Sequence, residues 1–203
     1  MKVITLANSK GGVGKSTIAS NLIYLAIEMN YDVGFIDLDK QKSLDEWVKK
    51  QKVEIKNIKI NDLNKFTKKK LKFDFLFIDT QASIRKTRLE EILRITDIVI
   101  IPSSGTYLDL NATRKFLKRI NSYRKKNIKV FTVLNRIRFS NKIEDVIIKC
   151  ESVLKEKISA WFPMSKIFDD QMSIGSTILK SKYAQTQIVR EQLLNIIEGS
   201  SWK

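Results

Sequence analysis

The sequence predicts a doubly wound α/β fold: a mostly parallel sheet with helices on both faces. Three observations predict it. The candidate strands are short and apolar from end to end, amphipathic helical stretches separate them, and a glycine-rich loop joins the first strand to the first helix. Strands that are apolar on both sides need cover on both faces, and alternating strands and helices supply it. In such a sheet, ligands sit at the carboxyl ends of the strands.

The elements follow in order. Residues 1–7 (MKVITLA) read as the first strand, and residues 16–30 as the helix after the glycine loop. Residues 33–37 (VGFID) are a second strand ending in an acid. Ser43-Leu44-Asp45-Glu46 has the spacing of a capping box, Ser at the cap and Glu three residues on, and opens a short helix. From residue 49 to 72 isoleucines alternate with lysines and asparagines, which reads as an edge strand near 55–60 and a short basic helix after Asn61. Residues 73–79 (FDFLFID), 97–102 (DIVIIP) and 128–135 (IKVFTVLN) are buried strands, the first of them ending in a carboxylate. Helical patterns fall at 86–95, 108–126 and 141–156, and a terminal one at 183–197. No internal repeat or domain boundary interrupts the series. Residues 1–203 therefore read as one domain, without an N-terminal extension for a helix-turn-helix.

Composition excludes several chemistries. The chain has no histidine and one cysteine, Cys150, so His-based catalysis, His metal ligation and an intramolecular disulfide are all excluded. Charged or polar residues interrupt every apolar run before it reaches a membrane span, and the chain starts directly on a strand, leaving no room for a signal peptide. It reads as a cytoplasmic protein. Lys plus Arg is 38 against 22 Asp plus Glu, a formal net charge of +16. That field favours a polyanionic partner, nucleic acid or an anionic membrane. A Lys-, Ile- and Asn-rich composition would supply part of the same charge with no partner involved.

The glycine loop carries the chemistry. Its residues are Lys10, Gly11, Gly12, Val13, Gly14, Lys15 and Ser16, with Thr17 after them. Backbone N–H groups of such a loop converge on phosphate oxygens, and the following helix N-terminus adds a favourable dipole. Glycines permit the backbone conformations and close approach that a Cβ would obstruct. Lys15 supplies a point charge for β- and γ-phosphates, Ser16 a hydroxyl for Mg²⁺, and Thr17 a contact to the α-phosphate. A glycine turn with an incidental Lys-Ser is the plain alternative, and two acid-tipped strands downstream speak against it.

The usual loop opens with a Gly separated by four residues from the Gly-Lys pair; here Ser9 stands there and Lys10 follows. Lys10-Gly-Gly-Val-Gly-Lys15-Ser-Thr resembles the deviant phosphate loop of the ParA/MinD ATPases. The resemblance implies an ATP- and Mg²⁺-dependent P-loop ATPase in which Lys10 reaches across a nucleotide-sandwich homodimer to the partner's phosphates. Phe35-Ile36-Asp37-Leu38-Asp39 resembles the family's D-x-D box. It implies that Asp39 positions the attacking water and that Asp37 lies near the metal. Phe75-Leu76-Phe77-Ile78-Asp79 resembles the Walker B strand, which implies that Asp79 holds Mg²⁺ through water. A cap at a strand–helix turn is the alternative for Asp37. Catalytic roles thus fall on Lys10, Lys15 and Asp39, and metal roles on Ser16, Asp37 and Asp79.

The later chain matches too. Ile100-Ile101-Pro102 followed by Asp109-Leu110 resembles the family's apolar strand, proline and helix start. Val133-Leu134-Asn135-Arg136 resembles the strand end whose Asn reads the adenine edge, although an Asn there is also a common turn former. Phe162-Pro163-Met164-Ser165 and Gly175 resemble the segment flanking the base, which implies contacts from Pro163 and Met164. Two segments depart from the pattern. Lys40 stands between the D-x-D box and Gln41, and Asp79 is followed by Thr80-Gln81-Ala82.

Within the family, the chain is most similar to the small ParA-type plasmid partition ATPases. Cluster-carrying relatives use paired cysteines, which Cys150 alone does not match. The resemblance implies non-specific double-stranded DNA and a ParB-type centromere-binding protein as partners, with nucleoid association in the ATP state. Basic candidates for the DNA contact are Lys180, Lys182 and Arg190 near the C-terminus. Arg114, Lys115, Lys118, Arg119 and residues 124–126 form a second set on one long helix, and either set also reads as a solvated face. Residues Ile188, Val189, Gln192, Leu193, Ile196 and Ile197 share a helical face, read as docked on the sheet rather than on lipid. Three other readings stand beside partition: a MinD-like membrane-associated regulator, a positioner of non-DNA cargo, and an ATP-locked module that does not hydrolyse.

Overall fold

The computed structural model describes residues 1–51, 55–58, 72–123, 127–140 and 142–199. Among the described residues, seven strands form one all-parallel sheet: β1 (Lys2–Leu6), β2 (Val33–Asp37), β3 (Lys56–Asn57), β4 (Phe75–Asp79), β5 (Ile98–Ser104), β6 (Lys129–Ile137) and β7 (Ile158–Pro163). Their order is β3-β2-β4-β1-β5-β6-β7. The chain winds outward from β1 in one direction and then in the other, so the strand order reverses beside β1. A crevice at the carboxyl ends follows from that reversal. Parallel register brings Asp37 level with Asp79, and Asp79 level with Leu6, placing both acids at the mouth of the glycine loop.

Two apolar layers cover the sheet. On one face Ile4, Leu6, Phe35, Phe75 and Phe77 pack beneath α1 (Lys15–Glu28), α2 (Ser43–Lys49), α6 (Ile167–Ser173) and α7 (Gln185–Gly199). On the other, Val3, Ile36, Leu76, Ile78, Val99 and Ile101 pack beneath α3 (Lys86–Ile95), α4 (Tyr107–Tyr123) and α5 (Ile143–Leu154). This is the two-faced burial that end-to-end apolar strands require. The terminal helix is docked, as its apolar face suggested. Val189, Leu193, Ile196 and Ile197 are buried, and Gln192 Oε1 accepts the Trp161 N–H of β7 at 3.0 Å. Among the described residues, no helix is long and apolar enough to cross a membrane.

The sequence reading needs two corrections. β7 was not expected as a strand; it is short, half-buried at its start and at the edge, so its apolar signal is weak. Ser43 does not cap α2. It is the first helical residue, and Lys42 precedes it in the left-handed region at φ 54° with no side-chain cap bond. The cap comes from β2 instead, where Asp37 Oδ2 accepts the Asp45 N–H at 3.1 Å. Of the expected edge strand at 55–60, the described residues 55–58 contain β3, paired in parallel with β2, and 59–60 lie outside the described residues. The basic helix expected after Asn61, like Arg124, Lys125 and Lys126, lies outside the described residues.

Candidate functional site

The loop from Ser9 to Gly14 leaves β1 and turns into α1 under tight backbone constraints. Gly12 and Gly14 have φ of 71° and 92°, in the region that L side chains rarely adopt. A Cβ on Gly14 would also collide with Asn135 Nδ2 and lie 3.2 Å from its Cγ. Helix α1 begins with neither a side-chain cap nor an acid in its first turn, so its leading amides remain open at the loop. Lys15 is buried, and its Nζ lies 3.5 Å from the Lys10 carbonyl. Burial pushes its pKa down, while the carboxylates of Asp79 and Asp39 pull it back up. A buried cation near two acids at an open helix N-terminus is a seat for phosphate oxygens.

Asp79 faces this seat. It is fully buried, Ser16 Oγ donates to its Oδ2 at 2.5 Å, and its Oδ1 has no partner. Desolvation is the main cause that pushes its pKa up to about 7, with Asp37 and Asp39 adding to the rise and Ser16 and Lys15 opposing it. A buried carboxylate oxygen without a partner is costly, and a hard cation beside it removes the cost. Ser16 and Asp79 therefore fit Mg²⁺. Asp37, expected near the metal, spends both oxygens on main-chain amides, Oδ1 on Asp39 N at 2.9 Å and Oδ2 on Asp45 N. The cap alternative describes its contacts. Asp39 accepts the Gln41 N–H at 3.0 Å, and the Lys42 ammonium reaches back to the Asp37 carbonyl, so the box closes on itself.

The other end of the crevice is assembled from distant segments. Asn135 Nδ2 donates to the Val13 carbonyl at 3.0 Å and its Oδ1 accepts the Arg136 N–H, so it braces the loop. Met164 is 54% exposed, and Pro163 ends β7. The small cavity here is lined by Thr17, Asn135, Arg136, Ser165, Phe168 and Asp169. Met172 Sδ lies 3.8 Å from Thr17 Oγ1, closing α6 over the start of α1. Gly175, at φ 70°, packs against the backbone of Lys50. The sequence reading also missed Asn8. Fully buried, it donates to the Pro102 carbonyl at 2.6 Å and to Thr113 Oγ1 at 2.9 Å, pinning the loop's entry to β5 and α4. Only its position just before the loop could have flagged it.

Comparison with known proteins decides the family. The CbiA family, described as the CobQ/CobB/MinD/ParA nucleotide binding domain, matches residues 4–173. The chain belongs to this family. It is 35% identical over 143 residues to the uncharacterised protein MJECL24 of Methanocaldococcus jannaschii, covering 68% of this chain and 46% of that protein. It is 30% identical over 142 residues to the maintenance of carboxysome distribution protein A of Halothiobacillus neapolitanus, covering 66% and 65%. The match thus spans about half to two thirds of these relatives' lengths. Among solved structures, the MinD cell division protein of Aquifex aeolicus superposes with a TM-score of 0.80 at 17% identity, covering 98% of this chain and 97% of that one. A putative plasmid partition protein of Borrelia burgdorferi bound to AMPPNP gives 0.71 at 18%, covering 97% of each. At such identities the structural likeness establishes the fold.

In this ParA/MinD-family chain the early lysine has a partner of its own. Lys10 Nζ lies 3.4 Å from Asp109 Oδ1, with Lys10 half exposed. Asp109, in the first turn of α4, also accepts the Ser104 hydroxyl at 2.5 Å. The C-terminal cations are differently placed. Arg190 holds Glu28 through two bonds of 2.5 and 3.2 Å, and Lys180 Nζ sits 4.8 Å above the Tyr24 ring. Lys182 is exposed.

Proposed function

We propose that this chain is a ParA-type DNA partition ATPase that binds Mg-ATP and hydrolyses it to ADP and phosphate. The observation that carries the reading is Asp79, with one buried oxygen on Ser16 and the other without a partner, facing Lys15 at an open helix N-terminus. Loop amides and Lys15 bind the β- and γ-phosphates, Thr17 the α-phosphate, and Ser16 and Asp79 the metal. Bound Mg²⁺ supplies charge neutralisation at the β- and γ-oxygens. Asp39 orients the attacking water, and Asp37 holds the box that carries Asp39. At the base end, Asn135 fixes the loop from below, and the segment through Pro163 and Met164 leads into the residues that line the cavity.

Lys10 reaches the phosphates of a second copy in an ATP-dependent homodimer, exchanging Asp109 for that site. The dimer binds duplex DNA without sequence preference, and a centromere-binding partner stimulates hydrolysis and release. One observation supports partition over a membrane role: the apolar face of α7, Val189, Leu193, Ile196 and Ile197, is buried in the core against the sheet. A second reading has its own support. The relative named for carboxysome distribution favours positioning of a cargo other than DNA.

The test is fluorescence anisotropy of a labelled random-sequence duplex, titrated in Mg-ATP and in Mg-ADP at several salt concentrations. We expect binding in ATP alone. If ~6 phosphates are engaged, log K falls against log salt with a slope of about −5. Equal binding in both nucleotides would show that the +16 charge acts without the switch. No binding in either would favour the cargo reading.

A further inference from the structure

The sequence offers two basic sets for a polyanion, and the structure treats them differently. Near the C-terminus Arg190 is neutralised by Glu28, and Lys180 lies over Tyr24. On α4, four cations and no acid fall between Leu110 and Tyr123. Thr113, Phe116, Leu117 and Ile120 are buried, so Lys115 and Lys118 turn outward and are exposed, with Arg119 half-buried beside them. Among the described residues none of these three pairs with a carboxylate.

A second helix adds to this face. Helices α3 and α4 lie on the same side of the sheet, and Lys86 from the first turn of α3 places its ammonium 5.1 Å from the centre of the Tyr123 ring. Arg119 is close enough for its charge to act on Lys86, and Glu90 is the carboxylate that acts on it from α3. Arg88 is taken up by Glu91 at 2.8 Å. We propose that the DNA backbone binds on the α3–α4 face through Lys86, Lys115, Lys118 and Arg119, and not through the C-terminal cations. This placement rests on the DNA reading above and identifies the surface that serves it.

The chemistry fits duplex phosphates. Lys115, Lys118 and Arg119, which pair with no carboxylate among the described residues, give the counterion release that drives non-specific binding, and Lys86 adds its charge from the Tyr123 ring. A lipid surface would need apolar side chains to insert, and the large exposed apolar residues of α3 and α4 are confined to Tyr107 and Leu108 at the loop end. Single strands would need a free aromatic platform, and Tyr123 already carries Lys86.

The test compares Lys115→Gln/Lys118→Gln and Lys180→Gln/Lys182→Gln proteins with wild type, by anisotropy of a labelled 30-base-pair random duplex in Mg-ATP. Thermal melting and sizing in ATP check that each folds and dimerises as wild type does. The α4 variant should lose affinity on the order of tenfold and about 2 units of salt slope, since each phosphate contact contributes about 0.9. The C-terminal variant should stay within about twofold of wild type. An α4 variant that binds like wild type, or a loss carried by the C-terminal pair, overturns the placement while leaving DNA binding intact. Wild type that binds phosphatidylserine vesicles but no duplex overturns the DNA reading and this placement with it.

Discussion

The two ends of the crevice are built by different means. At the phosphate end, eight consecutive residues from Lys10 to Thr17 meet two strand tips that parallel register brings level. At the other end, Thr17, Asn135, Arg136, Ser165, Phe168 and Asp169 converge from α1, the end of β6, the turn after β7 and α6. The first end depends on backbone geometry and a few charges, and the second on how distant segments pack. The contrast teaches that the phosphate loop's chemistry is local to this chain, whereas the cavity at the other end depends on the whole fold. Gly14 and Asn135 are where they meet. Gly14→Ala combines a left-handed φ with a collision against Asn135, which would release the Val13 carbonyl. The two costs together come to about 2–4 kcal/mol. Pairing it with Asn135→Ala should give less than the sum, because the collision then has no target. Additive losses in denaturant melts would show that the ends are independent at this point.

Legibility followed the same division. The strand–loop–helix unit and the strand-end positions of Asp37 and Asp79 could be read from the chain because glycines, lysine and strand-end carboxylates have local reasons to stand where they do. The two-faced sheet was legible because continuous apolar strands leave no other packing. What the chain does not display is long-range pairing. Ser43 and Glu46 have the spacing of a cap, yet Asp37 reaches the α2 amides first from the neighbouring strand. Asn135 has the look of a base reader, yet its amide is spent on the loop. Met164 sits in the expected segment, but Ser165, Phe168 and Asp169 just beyond it line the cavity. None of these pairings has a spacing that a sequence displays.

Asp79 offers a sharper separation of the phosphate end. Its carboxyl is held protonated up to about pH 7 in the metal-free protein, whereas an unfolded Asp loses its proton near 3.8. Between those values the native state binds more protons than the unfolded state, so stability falls as pH rises from about 4 through 7 and levels off above. Asp79→Asn removes that titration and the buried charge. The metal-free variant should melt higher than wild type at pH 8, by about 1–3 kcal/mol. It should also lose the Mg-dependent part of nucleotide stabilisation. A wild-type melting profile that is flat from pH 5 to 8, or a variant that still gains from Mg²⁺, would contradict this.

The smallest expected effect concerns a clamp far from the phosphates. Helix α2, whose start is held by Asp37, and the two residues after it grip the end of α6 and the turn beyond through three donors. Trp47 Nε1 reaches the Ser176 carbonyl at 2.7 Å, Lys50 Nζ reaches Ser173 O at 2.7 Å, and Gln51 Nε2 reaches Gly175 O. Gly175 allows this approach, with Lys50 backbone atoms 3.2 and 3.3 Å from where its Cβ would be. Helix α6 in turn supplies Phe168 and Asp169 to the cavity. Loosening the clamp should therefore move the base end and spare the phosphate end. Gly175→Ala, or Lys50→Ala with Gln51→Ala where the glycine change harms folding, should weaken ATP binding by about 5- to 10-fold, some 1–1.4 kcal/mol. Inorganic pyrophosphate, which has no base, should bind as it does to wild type in the same calorimetric titrations. Equal losses for both ligands would mean that α2 transmits the strain to Asp37 and its box, and that the two ends move as one body.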